Sequence, residues 1–336
     1  VPHNAFKTLP HLLPRILTLA LIIAAGAWKA QAQSDAQLAQ YYEVPNYYNA
    51  GAIGTTDLLK IRAGARLQWM GISKAPKSFL VAADMPFKFI GKRFGVGLVM
   101  QQESLGLYSN MMLGAQIAYK QKLFGGMLSI GAQIGFVDNS FKGSEVYIPD
   151  DDDYHEPNDE AIPNSDIHGN AFDVGAGLLY THKWFWAGVS ATHLNSPSVK
   201  LNAESGEGGT ERNYEFQMGR TLYFMAGSNI PIKNTLFEVM PTVLVKTDFT
   251  FTTGELTARC RYNKFLTAGL GYRWNDAVYL ALAAEFKNFY LGYTYEYPTS
   301  AISKASSGSH EIFAGYSLKL DLSDKNRHRH KSVRIM

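Results

Sequence analysis

The chain has 336 residues, 18% of them charged and 13% aromatic, with a formal net charge of +3; this suits one large all-β domain or two ordinary domains. The excess positive charge is Lys7, Arg15 and Lys29, all within residues 1–32, which hold no acid, so the rest is neutral and a basic nucleic-acid-binding chain is excluded. A single cysteine, Cys260, excludes an intramolecular disulfide and a cysteine metal cluster, and it reads as a small hydrophobe on an apolar strand face.

Lys7 and Arg15 precede an apolar run from Ile16 to Trp28, and Ala30-Gln31-Ala32 stands before Gln33. This is the pattern of a secretory signal peptide cleaved near Ala32, and the run is too short and wrongly flanked for a spanning helix. Residues 33–57 follow as a lead-in rich in Gln and Tyr, including Gln40-Tyr41-Tyr42-Glu43-Val44-Pro45-Asn46-Tyr47-Tyr48-Asn49, with no sustained period. We expect it to be periplasmic.

From Leu58 to Leu320 short segments alternate apolar with small or polar residues. In Ile61-Arg62-Ala63-Gly64-Ala65-Arg66-Leu67-Gln68-Trp69 every odd position is apolar and every even one is Gly, Arg or Gln. Period two sends successive side chains to opposite faces of a sheet. About fourteen such segments behind a signal peptide predict a transmembrane antiparallel β-barrel, apolar outside and polar inside. The expected strands lie near 58–69, 78–86, 92–103, 110–121, 126–137, 170–181, 184–194, 214–229, 235–248, 254–262, 265–274, 277–286, 289–298 and 308–320.

With a periplasmic start, loops 70–77, 104–109, 138–169, 195–213, 249–253, 275–276 and 299–307 are extracellular, and the long ones all fall in this set. The other set is short, as periplasmic turns are in outer-membrane barrels. Faces agree. Phe289, Leu291, Tyr293, Tyr295 and Tyr297 share one side of their strand, opposite Tyr290, Gly292, Thr294 and Glu296. Glycine-rich inner faces suit a crowded lumen. Residues 321–336 form a basic tail, with Lys325, Arg327, Arg329, Lys331 and Arg334, expected in the periplasm as a free tail or a docking arm for an acidic partner.

Chemistry-bearing patterns are sparse. Loop 138–169 is acidic, with Asp150, Asp151, Asp152 and Asp153 in a row. It lacks the glycine and terminal glutamate of an EF-hand loop, so a solvated extracellular loop outweighs a cation or partner site. No nucleophile elbow, zinc-protease motif or phosphate-cradling glycine loop is present, and no cofactor, metal or catalytic residue is assigned. His193, near Asn195 and Ser196, is a weak candidate for a barrel hydrolase site. Arg62, Arg259, Arg261, Arg273 and Lys319 are expected in the lumen, with Glu285 and Glu296 as counter-charges. They either pair to stiffen the barrel or bind anions or a passing segment.

Four stretches carry a family resemblance. Gln40-Tyr41 leads to Tyr47-Tyr48-Asn49-Ala50-Gly51, and Arg66-Leu67-Gln68-Trp69 leads to Ala75-Pro76-Lys77-Ser78. Phe172 to Gly188 is followed by Ser190, His193, Leu194 and Pro197, and the end carries Gly271-Tyr272-Arg273-Trp274, Gly292-Tyr293-Thr294-Tyr295 and Gly308-Ser309-His310-Glu311. In order and spacing these resemble the PorP/SprF outer-membrane proteins of the Bacteroidota type IX secretion system, with Ala50 where the family usually has Pro. The resemblance implies a non-enzymatic outer-membrane barrel of a Gram-negative bacterium, tied to protein secretion and gliding motility. Such a barrel supports export or surface attachment of cargo with a C-terminal secretion domain, or serves one adhesin. It also implies periplasmic ring and lipoprotein partners beside the surrounding lipid and lipopolysaccharide, and mainly structural roles for the motif residues. A porin or small-molecule transporter, and a surface-binding module acting through loops 138–169 and 195–213, are the competing expectations.

Overall fold

The computed structural model describes residues 35–146, 163, 165–203 and 214–322. Among them fourteen antiparallel strands close into a barrel: β1 Leu58–Leu67, β2 Lys77–Phe89, β3 Lys92–Leu105, β4 Tyr108–Leu123, β5 Gly126–Lys142, β6 Asp166–Thr181, β7 Trp186–Thr192, β8 Thr221–Gly227 (resumed at Ile230–Pro231), β9 Phe237–Thr247, β10 Thr252–Tyr262, β11 Leu266–Arg273, β12 Ala277–Phe286, β13 Phe289–Pro298 and β14 Ser309–Lys319. Each pairs with its chain neighbour, and β1 pairs with β14 from Leu58↔Lys319 to Leu67↔His310. Closure removes the free edges that lipid could not satisfy.

Alternation sets the two faces. Leu266, Leu270 and Tyr272 of β11 are exposed while Gly269, Gly271 and Arg273 are buried, and β13 divides as its sequence predicts. Cys260 is exposed on the outer face with Leu256. Inside, large rings cover the small residues opposite them. Phe313 lies over Gly64, where a Cβ would meet its ring at 2.4 Å, and Tyr279 lies over Gly271 in the same way.

One end carries short turns. Ile90-Gly91, Phe124-Gly125 and Asn263-Lys264 each have both φ angles positive, the geometry that matches a tight hairpin to strand twist. The other end carries the longer connections, so the expected asymmetry is present, although 104–109 shrinks to a two-residue turn between β3 and β4. The expected strand at 214–229 is corrected. Tyr214–Gln217 folds back on Ser198–Leu201 as a hairpin, whose first strand touches the barrel ladder where Asn202 and Ala203 pair with His168 and Ile167 of β6. Tyr214–Gln217 itself stays out of that ladder, which the chain rejoins at Thr221. A loop hairpin has the same period as a barrel strand, and Gly219 marks the break. Val199, Leu201 and Met218 of this region are buried with the lumen-facing Leu80, Val99, Met112, Val137 and Ile167.

Residues 35–57, expected as a periplasmic lead-in, lie inside the barrel. Three short helical turns, Tyr41–Glu43, Pro45–Tyr48 and Ala50–Ala52, thread the lumen before β1 begins. Leu38, Tyr41, Val44, Tyr47, Tyr48 and Ile53 are buried there. The physical reason is volume: glycines on the inner faces leave space that an apolar segment fills. The signal segment 1–32, Asp150–Asp153 and tail residues 323–336 fall outside the described residues.

Candidate functional site: the plugged lumen

The lumen is packed by the plug, residues 35–57, and four contact zones hold it. In the first, the barrel-closing strands supply the anchor. Arg66 and Glu311 are direct cross-strand partners of β1 and β14, and each is 1% exposed. Arg66 pairs with Glu296 at 2.7 Å and Glu311 at 3.3 Å. Glu311 accepts the backbone amides of Ala39 at 2.8 Å and Gln40 at 2.7 Å. Arg273 extends the network to Glu255 at 3.0 Å, Glu296 at 2.8 Å and Asp276 at 3.0 Å. Buried charges are tolerated because each has partners of opposite sign.

In the second zone His193, fully buried just beyond β7, bridges two carboxylates. Its Nε2 lies 2.8 Å from Asp35 of the plug and its Nδ1 lies 2.9 Å from Asp173 of β6. Tyr223 also donates to Asp35, and the Lys246 ammonium donates to the Asp35 carbonyl at 3.0 Å. Burial alone raises the Asp35 carboxyl, but His193 and Lys246 reverse this and hold it well below the usual carboxylate range. Burial likewise opposes a charged His193, yet Asp35 and Asp173 push it up to about 10. Both ring nitrogens are occupied by carboxylates, so the hydrolase reading of His193 has no activated nucleophile to rest on. Asn195 serves the sheet instead, accepting from Val174 and donating to the Phe172 carbonyl.

The third zone is Glu43, which meets Arg62 at 3.3 Å and Arg259 at 3.7 Å. Arg259 also lies over the Tyr42 ring at 3.5 Å, and Arg62 over Tyr290 at 4.8 Å. The fourth is backbone contact. Asn49 donates to the carbonyls of Leu178 and Val189, Gln116 donates to that of Asn46, and Ser190 donates to that of Tyr48. A Cβ at Gly131 would sit 2.2 Å from the Ala50 carbonyl carbon, and one at Gly177 would sit 2.0 Å from Asn49 Oδ1. Only glycine admits the plug at these positions.

The sequence-expected lumen charges therefore divide. Arg62 and Arg259 share Glu43 of the plug, and Arg273 and Glu296 join the Arg66 network. Arg261 instead pairs with Glu238 on β9, near the short-turn end. Glu285 is half-buried and forms no ion pair with a described residue. Lys319 is exposed at the short-turn end, beside a cleft shared with Asp57, Arg93 and Asp321. The last two corrections share a cause: near a strand end period two still assigns a face, but that face no longer opens on the lumen. Sequence reasoning missed Asp35, Glu43, Asp173 and Glu255, which showed no pattern without the plug in place.

The motif residues join at the seam. The Trp69 amide donates to Ser309 Oγ at 3.2 Å, the Met70 amide to the Gly308 carbonyl at 2.8 Å, and the Gln68 amide to the Pro76 carbonyl at 3.0 Å. Gly308 has φ of 108° and Trp69 a φ of 51°. His310 faces outward, its Nδ1 2.7 Å from the Tyr293 hydroxyl. Ala75, half-buried, leads into buried Pro76 on the same loop.

The family model described as type IX secretion system membrane protein PorP/SprF matches residues 30–316. No curated protein sequence matches the chain. Among solved structures it is similar to the Ralstonia pickettii toluene transporter TbuX, at 12% identity and TM-score 0.48, covering 82% of this chain and 93% of that one. It is also similar to a Pseudomonas aeruginosa FadL homologue, at 8% identity and TM-score 0.44 over 79% and 90% of the two chains. The translocator domain of autotransporter NalP from Neisseria meningitidis matches at 12% and TM-score 0.42, over 78% and 87%.

Proposed function

We propose that this chain, which belongs to the PorP/SprF family of type IX secretion system membrane proteins, acts in the outer membrane as a closed, non-enzymatic support rather than a conduit. In this reading a signal peptide directs the chain across the inner membrane and is removed near Ala32. The short-turn end faces the periplasm, where it contacts ring and lipoprotein subunits. The barrel then supports export or surface attachment of cargo carrying a C-terminal secretion domain, either generally or for one adhesin.

The observation that carries the reading is the filled lumen. A water-filled porin needs a continuous polar passage, whereas here Leu38, Tyr41, Val44, Tyr47 and Tyr48 form one apolar core with Leu244, Tyr223, Tyr290 and Phe313 of the wall. Deleting the gene, with any redundant paralogue removed, should trap C-terminal-domain cargo inside the cell; normal export overturns the proposal. Purified protein in planar bilayers should show no steady conductance, and a stable open current would return the barrel to the porin class.

A further inference from the structure

We propose that the six turns at the short-turn end form a ring of binding sites for anionic phospholipid headgroups in the adjoining leaflet. Each of these turns carries or directly adjoins an exposed lysine: Lys92 and Lys122 at the flanking strand ends, and Lys183, Lys233, Lys264 and Lys287 in the turns themselves. Each lysine stands within three residues of an exposed large apolar side chain, and none forms an ion pair with a described carboxylate. The opposite end differs in balance. Its described turns carry Asp248 and Asp276, Lys74 there is already paired with Glu145, and the exposed Lys77 and Lys304 lie on or beside two of its connections and not on every one.

Two further observations point to lipid. Three of the ammonium groups rest over aromatic rings: Lys92 over Tyr119 at 5.3 Å, Lys183 over Trp184 at 4.9 Å and Lys287 over Phe286 at 5.4 Å. The Lys92 site continues into Phe94, which contacts both Phe87 and Tyr119. An aromatic girdle with ammonium groups at its rim is the arrangement that places cations at headgroup phosphates. The tips also accept backbone strain to present apolar groups. Ile90 and Phe124 have φ of 49° and 47° and are 81% and 86% exposed. A β-branched or bulky residue in that region is an outlier, and an apolar tip that dips into the headgroup boundary gains burial that water denies it.

The distribution favours a leaflet over a protein. Hairpin tips recur every two strands, roughly 10 Å apart, so the lysines encircle the perimeter as lipids do instead of gathering into one patch. The inference is independent of any secretion role.

The test uses the folded full chain, delipidated in detergent, with phosphatidylglycerol and phosphatidylcholine as probes in native mass spectrometry. The wild type should retain phosphatidylglycerol preferentially. Each lysine near an anionic surface contributes about fivefold in affinity, so Lys→Gln at all six positions should abolish the preference. Lys74→Gln with Lys304→Gln, at the other end, should leave it intact. Because all six lysines are exposed, gel heat-modifiability should report a folded barrel. The inference is overturned if the sixfold variant keeps the preference, if the wild type shows none, or if the control pair loses it equally. It is also overturned if the sixfold variant keeps its lipid but loses a crosslinked acidic protein in native membranes.

Discussion

Arg66 and Glu311 face each other across the ladder that closes the barrel, and Glu311 also accepts the plug amides of Ala39 and Gln40. One carboxylate thus joins closure of the wall to filling of the lumen. Glu311→Ala removes three acceptor contacts at once and leaves Arg66 with Glu296 alone. Breaking a buried pair from one side costs about 3–5 kcal/mol. We expect a lower Tm in detergent and a plug that trypsin reaches, seen as loss of N-terminal peptides while the barrel stays intact.

The sequence made the wall legible and left its contents obscure. Lipid on one side and small or polar residues on the other force period two, so strands such as Phe289–Pro298 could be read directly. The plug has no solvated face, so no period constrains it, and Tyr41, Val44, Tyr47 and Tyr48 looked like an unstructured lead-in. Two signals were present. Residues 36–56 carry a single charge, Glu43, where a solvated linker would carry several, and glycines such as Gly131 and Gly177 left lumen volume unfilled. The hallmark pair Arg66 and Glu311 was visible as a motif, but its contact required knowing that the first and last strands meet.

The His193 bridge gives the plug a pH dependence. Because His193 is raised from its ordinary 6.5 to about 10, its contribution is complete below about pH 6.5 and is lost as pH climbs through about 10. Asp35 is lowered from its ordinary 3.8, so its contribution is complete above that value and fades only in stronger acid. Asp173, Tyr223 and Lys246 face the same pair. His193→Gln should lower Tm at neutral pH. The gap from wild type should close as pH is raised through about 10; a gap that stays constant there contradicts the bridge.

Gly131 tests whether the plug or the wall sets the lumen's shape. A side chain there would meet the Ala50 carbonyl carbon at 2.2 Å, a backbone atom that cannot turn aside. Strand propensity favours Val over Gly, so Gly131→Val should leave the barrel folded while displacing residues 49–51. A cysteine introduced by Ala50→Cys, in a Cys260→Ala background, should then label with a maleimide that the plugged parent excludes. Equal protection in both proteins would mean the wall yields instead.

Asn49 separates hydrogen bonding from packing at the same place. Its amide donates to Leu178 and Val189, ladder partners on β6 and β7, while its Oδ1 accepts from the Gly51 amide at 2.7 Å. Asn49→Ala loses all three bonds and leaves groups unpaired, an expected loss of about 1–3 kcal/mol. Asn49→Asp keeps the acceptor for Gly51 but sets a carboxylate against two carbonyl oxygens, with no cationic side chain among the groups that bond Asn49. A buried, unpaired charge is costlier than a missing side chain. Asn49→Asp should therefore be the less stable of the two in denaturant titrations at neutral pH. It should recover toward Asn49→Ala in acid, where the protonated carboxyl can donate to one of the carbonyls.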